Sequence, residues 1–291
     1  LELNEQWLVN MGLRYDHFET KYKSYTAAGA TTYKGSDTSD FFSGQLGLVW
    51  KVQPNGSIYV SYATSATPPG AMLDSNETNP LSGTPDRTGK ILASDMEPEE
   101  TTNYELGTKW DVFNDRLSLT AAIFRTEKEN TRVQTDADTY ENAGKTRVDG
   151  IELSASGKIT EQWQVFAGYT YLDGKQRDGG PLNKATDGNQ LPNTPKNSAS
   201  LWTTYAITPK LTIGGGAFYV DEVFGNVANS TYVPAYTRYD AMASYKLTKN
   251  VDLQLNVQNL TDKTYYDKAF STHFANQAAG RTALLDRKST R

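Results

Sequence analysis

The sequence contains no cysteine, which excludes disulfide bonds and thiolate metal sites. It has no apolar run near the ~18 residues that a membrane-spanning helix needs, so any membrane role must come from strands. The net charge is −5 and no basic face compensates for it, which argues against a nucleic-acid partner. The two histidines, His17 and His273, lie in no recognisable Ser/His/Asp setting.

Apolar and polar side chains instead alternate with a period of two along many short segments. In VDLQLNVQ (251–258), every apolar residue has one parity and every polar residue has the other. Successive strand side chains point to opposite faces, so this pattern predicts a strand with one apolar and one polar face. Eleven such segments are present and a twelfth begins at Thr282; they cover 7–15, 46–52, 58–62, 104–110, 117–123, 151–159, 163–171, 199–205, 211–219, 239–247 and 251–257.

The polar faces are too many for an ordinary core. Eleven polar strand faces cannot pack into one apolar core. A soluble β-sandwich or solenoid is the competing interpretation, and either fold would need such a core. Aromatic residues also concentrate at strand ends on the apolar side, where girdles form at a bilayer interface. These residues are Trp7, Tyr15, Trp110, Trp163, Tyr171 and Tyr239.

Short and long connections alternate along the chain. Tight turns are predicted at 54–56, 114–116, 160–162, 208–210 and 248–250. Longer polar links are predicted at about 19–40, 67–100, 133–142, 174–196, 225–236 and 260–281. Short turns at one end and long loops at the other are typical of outer-membrane barrels. The sequence therefore predicts an all-β, transmembrane antiparallel β-barrel, with the apolar parity of 251–257 toward lipid and the polar parity toward the lumen.

Both ends of the sequence suggest a part of a longer protein. Leu1 begins directly inside an amphipathic segment, and DRKSTR (286–291) places charges on both parities. A Lys or Arg at the bilayer midplane costs about 2–4 kcal/mol, so we expect that a closing strand is missing after Leu285. We assign 1–285 to the C-terminal part of a barrel and treat 286–291 as an atypical tail of foreign or artefactual origin. With unpaired edges in lipid, this chain alone should not form a functional pore.

Four segments resemble the C-terminal half of TonB-dependent outer-membrane receptors. They are EPEETTNYELGTKW (97–110), KTRVDGIELSASGKI (145–159), NVQNLTDKTYY (256–266) and GRTALL (280–285). Their order and spacing carry the resemblance, and NVQNLTDKTYY is the most specific of them. The pairing of SYATSATPPGA (61–71) with MEPEETTNYE (96–105) is similar to catecholate siderophore receptors of the Fiu type.

The resemblance implies a roughly 22-stranded barrel with an N-terminal plug, of which about 12 strands and no plug are present here. It implies import of a ferric siderophore across the bacterial outer membrane, driven by the TonB–ExbB–ExbD complex through the plug region. Outer-membrane lipid is the other implied partner. No cofactor is implied, because ferric iron is carried as the siderophore complex. GRTALL should continue into an aromatic-ended strand, and DRKSTR departs from that pattern.

If the ligand is a ferric tris-catecholate, the receptor needs cations and aromatic faces near its extracellular opening. The loop-side candidates for ligand binding are Arg87, Lys90, Arg177, Tyr232, Tyr236, Arg238, Phe270, His273 and Phe274, with Lys184 as a further cation. Each of them could equally be a solvated loop residue or a girdle aromatic. Glu105 and Lys109 should share the lumen side. NLTDKTYY is interpreted as a strand terminator, with Asn259 and Asp262 in turn conformations.

Three other functions remain open at this level. A passive porin would have a lumen constriction without a plug, and a receptor for haem or another ligand would keep the same architecture. A catalytic barrel, such as a phospholipase or protease, is the enzyme alternative. No P-loop, dinucleotide fingerprint or zinc spacing occurs in the sequence. We therefore expect no enzyme activity and no resident metal.

Overall fold

The chain forms one large antiparallel sheet. The computed structural model describes residues 1–25, 29, 31–68, 97–136, 139–270 and 274–289. Within these residues, twelve strands pair in chain order: β1 (Trp7–Tyr25), β2 (Thr31–Gln53), β3 (Gly56–Thr67), β4 (Glu99–Val112), β5 (Leu117–Asp136), β6 (Thr139–Lys158), β7 (Trp163–Asp178), β8 (Asn197–Ala206), β9 (Leu211–Val220), β12 (Tyr236–Lys246), β13 (Val251–Gln258) and β16 (Thr282–Ser289). The predicted strands, including the twelfth, are confirmed.

Two small strand pairs and a short helix lie in the connections. The strand β10 (Val223–Phe224) pairs with β11 (Tyr232–Val233), and β14 (Tyr266–Phe270) pairs with β15 (Phe274–Gln277). A 3₁₀ helix covers Pro181–Thr186. No helix in the described ranges is long and apolar enough to cross a membrane.

One face of the sheet, here called the outer face, carries the apolar parity of every strand. Leu46 lies opposite Tyr62, Leu106 opposite Ile123, and Leu255 opposite Leu285 in the pairing register. These side chains remain exposed, with Ile123 at 54%. A soluble sheet would bury such a face, so continuous apolar exposure fits contact with lipid.

The opposite, inner face is polar but also carries aromatic rings that lie flat on the wall. The Trp202 ring covers Gly216 of the neighbouring strand, and a Cβ at Gly216 would lie 2.6 Å from that ring. Glu105 and Lys109 share this face, as predicted: the Tyr59 hydroxyl donates to Glu105 at 2.6 Å, and the Lys109 ammonium lies 5.4 Å from the Tyr59 ring centre.

The two ends of the sheet differ as predicted. All five tight turns lie at one end, here called the short-turn end, where Arg116 and Glu161 form an ion pair at 2.8 Å. The opposite end is called the loop end. A small buried cluster of Val223, Val233 and Ala269 lies at this loop end and not within the sheet.

Three boundaries were predicted wrongly. The links at 19–40 and 133–142 are not loops, because β1 and β2 continue to Tyr25 and Thr31 and β5 and β6 continue to Asp136 and Thr139. Both segments are polar at both parities in the sequence, so alternation gave no signal there, while backbone pairing extends the strands. The last strand also does not stop at Leu285 but continues through Ser289. The link at 67–100 lies largely outside the described residues.

The continuation past Leu285 places one cation on the outer face. Arg287 lies opposite Leu253, and Ser289 lies opposite Val251 at the short-turn end. A long arginine side chain at this level reaches the interface with its charged group and keeps its stem along apolar surface. The foreign or artefactual origin assigned to 286–291 stays a prediction.

Candidate functional site

Three connections at the loop end are joined into one unit, the loop module, which comprises residues 179–196, 221–235, 259–270 and 274–281. Asn193 is its central clamp. Its amide side chain donates to the Ala269 carbonyl at 3.0 Å and accepts from the Ala269 N–H at 2.9 Å, while its own N–H donates to the Phe224 carbonyl at 2.9 Å. Asn193 has a φ of 51°, a conformation that asparagine tolerates better than most residues. One residue, through its side chain and its backbone N–H, thus connects all three segments.

A second asparagine repeats this arrangement between two of the segments. Asn229 accepts from the Gln190 N–H at 2.9 Å and donates to the Gln190 carbonyl at 2.8 Å. The buried cluster of Val223, Val233 and Ala269 lies beneath these bonds and contributes the apolar contact that the polar links lack. The module is therefore a small folded unit and not a set of independent loops.

Asn259 anchors the third segment to the sheet. It is 1% exposed, with a φ of 51°, and its backbone N–H donates to the Asp240 carboxylate at 2.9 Å. Its side chain accepts from the Lys263 N–H and donates to the Lys263 carbonyl, both at 2.9 Å, and to the Ala279 carbonyl at 3.3 Å. Asp262 has a φ of 52°. The interpretation of NLTDKTYY as a strand terminator is thus confirmed.

Arg238 lies on the inner face, directly below the loop module. It is opposite Phe218 in the register, and its guanidinium carbon lies 4.7 Å from the centre of that ring. One guanidinium nitrogen donates to Asp240 at 2.9 Å, while Nε is buried without a hydrogen-bond partner among the described residues. Arg238 is therefore held in place by Asp240, and it also interacts with the Tyr265 side chain.

A cleft of about 280 Å³ opens on the inner wall, and Phe218, on which this arginine stacks, is one of its lining residues. It is lined by Ser154, Ser156, Phe166, Ser200, Trp202 and Phe218. Cross-strand pairing creates it, since Phe166 lies opposite Trp202 and Phe218 lies opposite Ser200. The cleft combines three ring faces with hydroxyl groups, and Arg238 adds a cation on one of these rings, Phe218.

Residues 1–260 match the family model described as TonB dependent receptor-like, beta-barrel. The chain belongs to the TonB-dependent receptor family. It is 48% identical over 98% of its length to the probable TonB-dependent siderophore receptor PiuA of Acinetobacter baumannii, and 34% identical over 91% of its length to the catecholate siderophore receptor Fiu of Escherichia coli K12. The crystal structure of PiuA superposes on 99% of the chain with a TM-score of 0.90 and 46% identity.

The chain spans about two fifths of these TonB-dependent receptors, covering 38% of PiuA and 37% of Fiu in sequence and 41% of the PiuA structure. Its sheet therefore forms part of an outer-membrane β-barrel wall. The outer face is the lipid side and the inner face is the lumen side of that wall.

The structure brings five of the predicted ligand-binding residues of this TonB-dependent receptor to the loop module and the wall beneath it. They are Tyr232, Tyr236, Arg238, Phe270 and Phe274. Arg177 instead lies where the pairing of β6 with β7 shifts register, is exposed, and interacts electrostatically with Asp149 on the outer face. Arg87, Lys90 and His273 lie outside the described residues.

Two pairs of aromatic rings lie in the loop module or at its border with the sheet. Tyr236 packs 4.3 Å from Tyr265, which is 8% exposed. Phe270 and Phe274 stack at 4.8 Å, with the Lys268 ammonium 5.2 Å from the centre of the Phe270 ring and Phe274 66% exposed. The first pair is structural because Tyr265 is buried, and the second presents its faces to solvent.

Sequence reasoning missed Trp202, Phe218, Tyr265 and Lys268. The inner-face parity of Trp202 and Phe218 was available from the alternation, since both are aromatic at polar-parity positions. Nothing local distinguishes Tyr265, because its ring partner Tyr236 comes from another part of the chain, whereas Lys268 contacts Phe270 within its own strand.

Lys184 is less available to an anionic ligand than its exposure suggests. Its ammonium lies 2.8 Å from the Asp187 carboxylate, which also accepts from the Gly179 N–H at 2.8 Å. The lysine hydrogen bond and then this backbone hydrogen bond hold the pKa of Asp187 below its usual value, and Asp187 in turn raises the pKa of Lys184. The charge of Lys184 is thus largely balanced within the module.

Proposed function

We propose that the protein to which this chain belongs imports a ferric siderophore of the catecholate class by TonB-dependent active transport. The similar protein PiuA is described as a probable siderophore receptor, and the similar protein Fiu is described as a catecholate siderophore receptor. The family consists of receptors and transporters, so the proposed activity is binding and passage and not catalysis. Energy would come from the TonB–ExbB–ExbD complex acting through a plug region.

The observation that carries the proposal is the inner-wall cleft, with Arg238 stacked on its lining residue Phe218. A ferric tris-catecholate is a bulky anion whose rim consists of aromatic rings. Phe166, Trp202 and Phe218 offer ring faces for stacking, and Arg238 offers a guanidinium close to the same faces. The serine hydroxyls can donate to catecholate oxygens.

The loop module supplies the first contact on this path. Phe270 and Phe274 expose a stacked pair beside Lys268, so the same combination of ring faces and one cation recurs outside the lumen. A ligand captured there would move past Tyr236 to Arg238 and the cleft. The two sites would bind in sequence, the outer one on encounter and the inner one during passage.

Phe166→Ala/Phe218→Ala in the full-length receptor tests the inner site. Stacking contacts of this kind contribute about 0.5–1.5 kcal/mol each, so the double variant should bind a ferric tris-catecholate about 5 to 150 times more weakly. Phe124→Ala is the matched control, because Phe124 also covers a wall glycine on the inner face but lies outside the cleft. Binding is measured by quenching of receptor fluorescence.

Ligand class and energy source are tested separately. A ferric tris-hydroxamate and haem serve as competing probes, and tighter binding of either would replace the catecholate assignment. Uptake of radioactive iron is then compared in cells with and without TonB. Uptake that persists without TonB would indicate a passive porin instead.

A further inference from the structure

Asp240 lies between the inner-wall cleft and the loop module and holds one group of each. One carboxylate oxygen accepts from the Arg238 guanidinium at 2.9 Å, and the other accepts from the Asn259 N–H at 2.9 Å. Asp240 is 9% exposed, and a charge this deep persists in proteins where it is paired and hydrogen-bonded. Arg238 therefore faces the lumen together with a fixed negative charge.

The cross-strand register places this ion pair along the β12 side of the cleft. In one row of the sheet, Arg238 lies opposite Phe218. In the next row, Asp240 lies opposite Gly216, which the Trp202 ring covers. Both rings line the cleft. A ligand that stacks on them therefore meets both charges of the pair.

Arg238 is fixed beside Asp240 by groups from three parts of the chain. Its guanidinium carbon lies 4.7 Å from the ring centre of Phe218 on β9, and the Tyr265 side chain interacts with it from the loop module. Asp240, on the same strand, takes one of its nitrogens. With these three neighbours, the guanidinium is not free to leave the carboxylate and approach an anion alone.

The other charges of the wall around the cleft are balanced in the same way. On β6, Glu152 and Lys158 have the inner-face parity and flank the two serines that line the cleft. Toward the short-turn end, Lys246 of β12 lies opposite Asp252 of β13. One acid thus accompanies each base, and the wall offers no excess of positive charge to an anion.

The loop module above the cleft has no excess of cations either. Its four segments contain the acids Asp187, Asp221, Glu222, Asp262 and Asp267 and the bases Lys184, Lys196, Lys263, Lys268 and Arg281. Asp178, directly before the module, adds one further acid and lies 4.0 Å from Lys184. A ligand that travels from the module to the cleft therefore passes no surface with a net positive charge.

Charge balance changes what the cleft can recognise. Opposite charges at comparable distances from a ligand largely cancel in their effect on its net charge, whereas a lone guanidinium would attract a more highly charged anion more strongly. The ring faces of Phe166, Trp202 and Phe218 do not depend on that charge to the same degree. Stacking is therefore the main source of selectivity in this part of the path.

We propose that Asp240 is a specificity-determining residue of the siderophore path, because it cancels the charge of Arg238 and makes the cleft select aromatic rings instead of net charge. This inference rests on the proposed function and names its ligand class more closely. Tris-catecholate complexes that share their rings but differ in charge bind alike.

Calorimetric titration of the intact receptor compares the iron(III) and titanium(IV) complexes of one hexadentate tris-catecholate ligand. Both complexes present the same three rings, and the titanium complex carries one negative charge fewer. The wild-type receptor should bind them with affinities within about threefold of each other. Asp240→Asn keeps an acceptor for the Asn259 N–H but leaves Arg238 unbalanced, so it should prefer the iron complex about tenfold, which corresponds to ~1.4 kcal/mol.

Three further variants separate charge from structure. Asp240→Glu keeps the charge and should show no preference, whatever happens to the two affinities themselves. Arg238→Gln/Asp240→Asn removes both charges, which proteins tolerate better than the loss of one, and should also bind the two complexes alike. Asp252→Asn is the matched control, because it removes an inner-face carboxylate near the short-turn end, and it should keep the wild-type ratio.

Folding of every variant is checked by the electrophoretic shift of the heated against the unheated barrel. A tenfold preference for the iron complex in the wild-type receptor overturns this inference and leaves the proposed function standing, as does an unchanged ratio in Asp240→Asn. Binding of neither complex overturns both. If Asp240→Asn does not fold, the wild-type ratio decides, since a site that reads charge would already prefer the iron complex.

Discussion

Replacing Asn259 by alanine should loosen the loop module without unfolding the barrel. The change removes two side-chain hydrogen bonds of 2.9 Å to Lys263 and a longer one of 3.3 Å to Ala279. Each such bond contributes about 0.5–1.5 kcal/mol, and a residue at positive φ costs about 1 kcal/mol more when it is alanine. The local opening free energy should therefore fall by about 2.5–5.5 kcal/mol.

Asn259→Gly separates the two contributions, because glycine removes the same hydrogen bonds but accepts a φ of 51° without strain. The glycine variant should lose about 1 kcal/mol less than the alanine variant. Asp262→Gly is the control for a neighbouring residue of positive φ, where a single carboxylate bond of 2.7 Å to the Arg281 N–H is lost.

Amide hydrogen exchange of the full-length receptor in detergent measures these changes. Protection of the Lys263 and Ala269 amides should fall in the alanine variant, while amides in the middle of β12 and β13 should keep their protection. Unchanged exchange at Lys263 would refute the anchoring role of Asn259. Equal losses in the sheet and the module would show that the module is not a separate unit.

Three shorter predictions concern the wall and the loops. Leu255→Arg should cost about 2–4 kcal/mol in lipid and Asn256→Arg far less, because the two lie on opposite faces; equal losses in denaturant titrations in liposomes would reverse the face assignment. Gly216→Val should lower the yield of folded barrel, since even a Cβ would come within 2.6 Å of the ring that covers it; a normal heat-shift on gels would contradict this. Folding lowers the pKa of the Asp187 carboxyl, so ionised Asp187 stabilises the loop module fully above the usual value of 3.8, and this stabilisation is lost as the pH falls below that value. Amide protection of the adjacent loop residues that stayed constant from pH 6 to pH 3 would disprove this.

Alternation predicted the sheet well where one face meets lipid and the other meets water. Val251–Gln258 forms β13 within the predicted bounds, and the apolar parity lies on the exposed face. The same rule failed at 19–40, where the sequence is polar at both parities and backbone pairing defines the strands. Arg177, by contrast, has the apolar parity of Tyr169 and Tyr171, so alternation alone places this predicted ligand residue on the outer face.

The candidate site was harder to predict because its contacts are not local. Tyr236 and Arg238 were proposed for their residue types, but their partners Tyr265 and Phe218 come from elsewhere in the chain. Residues 76 positions apart meet at Asn193 and Ala269. No periodicity encodes such a contact, so a single sequence indicates which residue types lie at the loop end but not which of them meet.

The clamp at Asn193 determines how other molecules would recognise this end of the receptor. Because Asn193, through its side chain and its backbone N–H, joins segments 179–196, 221–235 and 259–270, the surface of the loop module is a discontinuous epitope that no single loop reproduces. A linear peptide from one segment lacks the partners that hold its shape. Antibodies raised against such a peptide should bind the denatured receptor better than intact cells, and antibodies against the folded module should lose binding when Asn193 alone is replaced.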